Sequence, residues 1–66
     1  MKINAVKVKM LIAKRCMSVN EFVGAAHIAS STMRLALSGN KVTVKTLGKI
    51  AKALGVDPED IIEQED

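Results

Sequence analysis

The chain has 66 residues, enough for one small hydrophobic core, and 48% of them are hydrophobic although Phe22 is the only aromatic residue. Its net charge is +3, its single cysteine excludes an internal disulfide, and no apolar run approaches the ~18 residues of a membrane-spanning helix. We therefore expect one helix-rich domain over residues 1–66, located in the reducing cytoplasm and without a signal peptide or a membrane segment.

Two amphipathic stretches begin the chain. Their apolar periodicity predicts a first helix over about residues 3–15. Ser18 and Glu21 in "SVNE" have the spacing of a capping box, in which each side chain accepts from the other residue's backbone N–H. This pattern predicts the start of a second helix over about residues 19–26.

The middle of the chain predicts two further helices. The third covers about residues 30–38, and Gly39 supplies the left-handed residue after it. The following "NKVTVKT" alternates apolar and polar residues as a strand does, but no second strand is evident to pair with it. Thr43 is better interpreted as the N-cap of a fourth helix over about residues 44–54, which Gly55 ends.

A fifth helix is predicted over about residues 58–63. Asp57 in "DPED" is placed to cap it, Pro58 occupies the first helical position, and acidic residues fill the first turn, where the helix dipole favours them. The chain is thus predicted to be all-α.

Two segments resemble one known family. Residues 18–39, "SVNEFVGAAHIASSTMRLALSG", resemble the helix-turn-helix of the phage-repressor/Cro type (lambda-repressor-like, XRE-like) family and align with it without a gap. Residues 47–62, "LGKIAKALGVDPEDII", resemble the fourth and fifth helices of the same family. The resemblance implies a compact five-helix lambda-repressor-like DNA-binding domain, with helices 2 and 3 forming the helix-turn-helix and helix 3 entering the major groove.

Two residues stand where relatives carry glycine. His27 occupies the left-handed turn between helices 2 and 3, and His is among the residues enriched at positive φ, so a tight turn is expected. A pH sensor or a metal ligand are alternative interpretations of His27, although the sequence has no second His. Cys16, near the end of helix 1, is expected to be a half-buried small residue. A redox role for Cys16 lacks the support of a second Cys.

A paired departure concerns Ile12 and Leu37. Many relatives carry Arg and Glu at these positions, where they form a partly buried ion pair. Replacing both partners with apolar residues can be neutral or stabilising. The resemblance therefore implies a contact between Ile12 and Leu37, and the alternative is that Leu37 is simply an exposed leucine.

The charge is unevenly distributed along the chain. Residues 1–56 hold all ten basic residues and one acid, Glu21, for a net charge of +9, whereas residues 57–66 hold six acids and no base. A small body this basic attracts polyanions. The alternative is a solvated, lysine-rich surface with an acidic tail that favours solubility.

The resemblance also implies which side chains contact DNA. Arg34 is the one long donor suited to bidentate base contacts on helix 3, and Leu35 suits a thymine methyl group or a protein interface. The four expected base-reading residues are Ser30, Ser31, Arg34 and Leu35. Phosphate contacts are expected from helix N-termini, caps and nearby lysines, namely Ser18, Asn20, Thr32, Ser38, Lys41 and Lys45. Lysines expected only to keep the chain soluble are Lys2, Lys7, Lys9, Lys14, Lys49 and Lys52.

No catalytic or metal motif is recognisable, so we expect no enzyme activity, no cofactor, no metal and no small-molecule ligand. The predicted function is sequence-specific binding of duplex DNA in transcription regulation, as a repressor. Relatives bind as symmetric dimers, which implies a homodimer through the outer surface of helices 4 and 5. The alternative is an antitoxin-like protein-interaction module that uses the Leu35 face or the acidic tail. A structural protein without a specific partner is the third possibility.

Overall fold

A computed structural model describes residues 1–63 of the chain. Two short strands pair antiparallel and bring Ile3 opposite Ile62. The regular elements of the described range are β1 (Lys2–Ile3), α1 (Ala5–Lys14), α2 (Val19–Ala26), α3 (Ser30–Leu37), α4 (Val44–Leu54), a 3-10 turn (Pro58–Asp60) and β2 (Ile62–Glu63). The fold is therefore mostly helical, with four α-helices in residues 1–63 and a small sheet that the sequence patterns did not predict.

The predicted fifth helix is wrong. Asp57 is the N-cap as expected and Pro58 takes the first position, but only a 3-10 turn of three residues follows. The backbone N–H of Asp57 donates to the carboxylate of Asp60 at 3.2 Å, which closes this turn. The chain then extends into β2 instead of continuing as a helix.

Tertiary contacts explain why the turn ends there. Ile61 is fully buried at 0% exposure, and its carbonyl accepts a hydrogen bond of 2.7 Å from the backbone N–H of Asn4. Ile62 pairs with Ile3 across the sheet. These backbone groups are thereby satisfied by β1 and the residue after it, so a continuing helix would leave the Asn4 N–H without this partner.

The first helix begins later than predicted. Residues 2 and 3 belong to β1, and Asn4 is the N-cap of α1, with its Oδ1 accepting from the backbone N–H of Lys7 at 3.1 Å. The other three helices agree with their predicted bounds to within one residue. The predicted N-caps Ser18 and Thr43 are confirmed, and the capping box of α2 is complete.

The core lies between the helices and draws on each of them. Phe22, the one aromatic residue, belongs to this core and is 1% exposed. Leu37 is half-buried against the core cluster that includes Ile12, so the exposed-leucine alternative is wrong, while the direct Ile12–Leu37 contact stays a prediction. The thirteen buried core residues are Ile3, Val8, Ile12, Phe22, Val23, Ala26, Met33, Ala36, Leu47, Ile50, Ala51, Leu54 and Ile61.

Arg15 joins the end of α1 to the end of α4. Its Nη2 donates to the carbonyl of Leu54 at 2.7 Å. A cation is favourable at this position because the last carbonyls of a helix have no intrahelical donor and carry the negative end of its dipole. Gly55 follows with φ +71°, and a β-carbon there would lie 2.9 Å from Arg15 Nη2. A glycine at position 55 therefore allows both the left-handed turn and the close approach of the guanidinium.

Cys16 corrects one expectation. It is exposed rather than half-buried, and its φ of +56° places it in the left-handed region. Its backbone N–H donates to the carbonyl of Ala13 at 2.9 Å, which ends α1 in a turn. The glycine that relatives carry here is thus explained by the backbone angle and not by burial.

No helix within residues 1–63 combines the length and the apolar character needed to cross a membrane.

Candidate functional site

The turn between α2 and α3 depends on His27. Its φ of +58° and ψ of +45° lie in the left-handed region, which confirms the predicted tight turn. The backbone N–H groups of His27 and Ile28 both donate to the carbonyl of Val23. Lys49 Nζ donates to the His27 carbonyl at 3.4 Å, so this lysine, expected only to aid solubility, also contacts the turn.

The imidazole of His27 is exposed. Within residues 1–63, no group of three or more His, Cys, Asp or Glu side chains is placed to hold a metal ion.

The N-terminus of α2 is held by its capping box. Ser18 Oγ accepts from the backbone N–H of Glu21 at 3.1 Å, and Glu21 Oε1 accepts from the backbone N–H of Ser18 at 2.9 Å. The hydrogen bond from the Ser18 backbone N–H lowers the pKa of the Glu21 carboxyl because it favours the charged form, and the Ser18 hydroxyl beside the carboxyl acts in the same direction. The first N–H groups of the helix, on Val19 and Asn20, have no intrahelical acceptor and lie at the positive end of its dipole.

Helix α3 has one buried face and one exposed face. Met33 and Ala36 are buried in the core. All four predicted base-reading residues are exposed, namely Ser30, Ser31, Arg34 and Leu35. Leu35 leaves 57% of its surface to solvent. The helix therefore presents these side chains outward, as the resemblance implied.

The predicted phosphate-contacting residues occupy less uniform environments. Thr32 is half-buried, whereas Lys41 and Lys45 are exposed in the loop after α3 and in the first turn of α4. Ser38 Oγ donates to the carbonyl of Arg34 at 2.8 Å, so its hydroxyl proton is used in a hydrogen bond at the C-terminal end of α3. A hydrogen bond holds the loop that carries Lys41: the backbone N–H of the next residue, Val42, donates to the Met1 carbonyl at 2.8 Å.

A cleft of about 220 Å³ lies where α1, α2 and α3 meet. It brings together polar side chains from three helices, including Lys9 of α1, which sequence reasoning had assigned to solubility. Apolar residues complete its lining. The full set is Lys9, Val19, Asn20, Val23, Ser30, Arg34, Leu37 and Ser38. We refer to it below as the α1–α3 cleft.

Position along α1 does not by itself single out Lys9. Val8 and Ile12 are the buried residues of that helix, and Lys9 and Lys7 flank Val8 on opposite sides, about 100° away in each direction. Only the tertiary arrangement shows that Lys9 borders α2 and α3.

Residues 7–66 match the family model of the Cro/C1-type helix-turn-helix DNA-binding domain. No curated protein and no solved structure matches the chain. The matched range includes every residue that lines the α1–α3 cleft and the whole exposed face of α3, whereas β1 lies before it.

Proposed function

The chain belongs to the Cro/C1-type helix-turn-helix DNA-binding family, and we propose that it binds duplex DNA sequence-specifically as a transcriptional repressor, with α2 and α3 as the helix-turn-helix. One observation carries this proposal beyond family membership. The left-handed His27 turn joins two eight-residue helices, and the second of them leaves its polar face uncovered. A short exposed helix of this kind fits the major groove of B-DNA, which is about 12 Å wide.

In the proposed complex, α3 lies in the major groove. Arg34 donates two hydrogen bonds to a guanine edge, and Leu35 contacts a thymine methyl group. Ser30 and Ser31, in the first turn, contact base edges with less discrimination, because a hydroxyl both donates and accepts. Specificity would then rest mainly on Arg34.

The backbone contacts surround this helix. Helix N-termini attract phosphates because their N–H groups are free and the dipole is favourable. Lysines next to them add a charge that is not specific for sequence. The proposed phosphate-contacting residues are Ser18, Asn20, Thr32, Ser38, Lys41 and Lys45.

Salt dependence tests the proposal directly. Fluorescence anisotropy of a labelled duplex should show an association constant whose logarithm falls linearly with the logarithm of salt concentration, by about 0.9 per phosphate contact. Selection from a random duplex pool should then give a preferred site. Absent binding at low salt, or binding that does not respond to salt, would contradict the proposal.

We also propose that two copies bind as a symmetric homodimer on two half-sites. Helix 5 was part of the dimer surface predicted from sequence and is not formed, so the proposed surface is the exposed side of α4 with the 3-10 turn beside it. Val44, at the start of α4, is 72% exposed and supports this location. Sedimentation equilibrium of the wild type and of Val44→Asp, with and without DNA, tests it. An unchanged dimer in the variant would place the interface elsewhere.

A protein-interaction module is the second candidate, and the exposure of Leu35 favours it. A large apolar side chain that is 57% exposed on a functional face is suited to a protein partner. The salt titration separates the two candidates, because an antitoxin-like module without DNA affinity would give no salt-dependent signal.

A further inference from the structure

We propose that the α1–α3 cleft holds one backbone phosphate of the bound DNA and that Lys9, with Asn20, is its principal ligand. The inference rests on the proposed function and adds to it a residue and a site. Lys9 lies on α1, outside the α2–α3 unit that the sequence pattern identifies. Its assignment therefore depends on tertiary structure alone.

The chemistry of the cleft is cationic. Lys9 and Arg34 both line it, and among the described residues no acidic side chain does. Asn20 and Ser30 add side-chain donors. These two positive charges, with no carboxylate in the cleft lining, produce a local field that attracts an anion.

Backbone donors reinforce this field. Val19 and Asn20, which line the cleft, are the first two residues of α2, and Ser30 is the first residue of α3. The N–H groups at these positions have no intrahelical acceptor, and Ala29, the N-cap of α3, makes no side-chain cap hydrogen bond. The positive ends of two helix dipoles thus converge on the opening that Lys9 borders.

The dimensions suit a phosphate group. The cleft volume of about 220 Å³ exceeds many-fold the roughly 10–15 Å³ that one water molecule needs on the same measure. Its lining combines three apolar residues, Val19, Val23 and Leu37, with polar side chains from all three helices. A phosphate that enters would meet donors from different helices, with Lys9 on α1 and Asn20 on α2.

The remaining outward residues of α3 define where the duplex lies. Ser31 and Leu35 are exposed but do not line the cleft, whereas Ser30 and Arg34 form its α3 side. A duplex whose major groove receives α3 has its sugar-phosphate backbone at the edge of that helix. The cleft lies at this edge, which makes a backbone phosphate the occupant that fits both the charge and the position.

The experiment compares Lys9→Ala with Lys7→Ala in the anisotropy titration. Both lysines are exposed on α1 and flank Val8, but only Lys9 lines the cleft. Lys9→Ala should weaken binding several-fold on every duplex and make the slope of log K against log salt shallower by about 0.9. Lys7→Ala should leave the slope unchanged. Lys9→Arg should retain the wild-type slope because it keeps the charge.

A double-mutant cycle tests whether Lys9 and Asn20 share one phosphate. Asn20→Ala should weaken binding without changing the slope, since it removes no charge. If both residues hold the same group, the double variant loses less affinity than the two single losses combined, because the residues are coupled. Independent, additive losses would overturn the shared site.

Neutral methylphosphonate, placed at one backbone position at a time, gives an independent readout. One position should weaken binding by the wild type but not by Lys9→Ala, because that variant no longer contacts the phosphate.

If Lys9→Ala equals Lys7→Ala in affinity and slope, the inference is overturned while DNA binding stands. If the wild type itself shows no salt-dependent binding, the proposed function fails first. Melting curves of all variants, which change exposed residues, verify the fold.

Discussion

Two residues other than glycine hold the left-handed backbone conformation, Cys16 at φ +56° and His27 at φ +58°. Each ends one helix so that the next can begin within a few residues. A side chain in this region costs roughly 1–2 kcal/mol, because its β-carbon approaches the following carbonyl oxygen. Both side chains are exposed, so no burial in the core offsets that cost.

His27→Gly should keep the fold and slightly stabilise it. Glycine removes the strain of the folded state. It also increases the conformational entropy of the unfolded chain, which destabilises the fold by up to ~1 kcal/mol, so the free energy of unfolding should rise by about 0.5 kcal/mol. Urea denaturation measures the change. Cys16→Gly is the matched control and should shift stability in the same direction. A marked loss for His27→Gly alone would mean that the imidazole makes a stabilising contact.

Arg34→Ala and Lys45→Ala should affect DNA binding differently. If Arg34 reads a base edge, its loss costs about 1–3 kcal/mol on the preferred site and relaxes selectivity at that position. Loss of Lys45 should weaken all duplexes alike and reduce the salt slope by about one. Anisotropy on specific and scrambled duplexes measures both. A uniform loss in both variants would make Arg34 a phosphate contact.

At the scale of single elements, helix caps determine where each helix starts. The capping box of α2 is a charged one, because Glu21 accepts from the backbone N–H of Ser18. The lowered pKa of the Glu21 carboxyl makes the stability of α2 depend on pH. A carboxyl whose pKa is lowered by folding contributes stability above its unfolded value and loses it as pH falls through its folded value.

Glu21→Gln should therefore be less stable than the wild type at neutral pH, and the two should converge in acid. The difference should begin to shrink near the ordinary Glu pKa of about 4.3 and vanish below the folded value. Urea denaturation at neutral pH and at about pH 3 tests this. Glu59→Gln on the 3-10 turn is an exposed control outside this box. A constant difference between the wild type and Glu21→Gln at all pH values would show that the charge of Glu21 is not involved.

At the scale of the whole molecule, the two ends of the described chain stabilise each other. Ile3 is 1% exposed and pairs with Ile62, while the carbonyl of Met1 accepts from the backbone N–H of Val42. The strand β1 thus lies between β2 and the loop that carries Lys41. This arrangement connects the stability of the sheet to the position of a proposed phosphate contact.

Ile3→Ala should destabilise the protein by about 2–5 kcal/mol, because it removes a buried side chain and leaves a cavity. Val6→Ala, at a position that is 73% exposed, should change stability by no more than about 0.5 kcal/mol. Circular dichroism during urea denaturation compares them. Equal midpoints would show that β1 contributes nothing to the core.

Features that depend on neighbours within a few residues could be predicted from the order of the amino acids. The caps at Ser18 and Thr43 and the left-handed positions at Gly39 and Gly55 are local interactions, so their side chains and spacing predict them, whereas the left-handed position of His27 was implied by the family resemblance. The bounds of α2, α3 and α4 followed for the same reason, whereas the exposed face of α3 was implied by the family resemblance.

Interactions between distant segments could not be predicted in this way and are known from the folded structure. Residues 58–63 contain the sequence signals of a helix start. In the structure, Asn4 donates to the Ile61 carbonyl and β1 pairs with residues 62–63, which form a strand instead. Likewise, nothing in the sequence distinguishes Lys9 from any other exposed lysine, and only the packing of α2 and α3 beside α1 forms the cleft that it lines. Both outcomes depend on contacts between residues far apart in sequence, whose free energy outweighs local preference and leaves no periodic pattern along the chain.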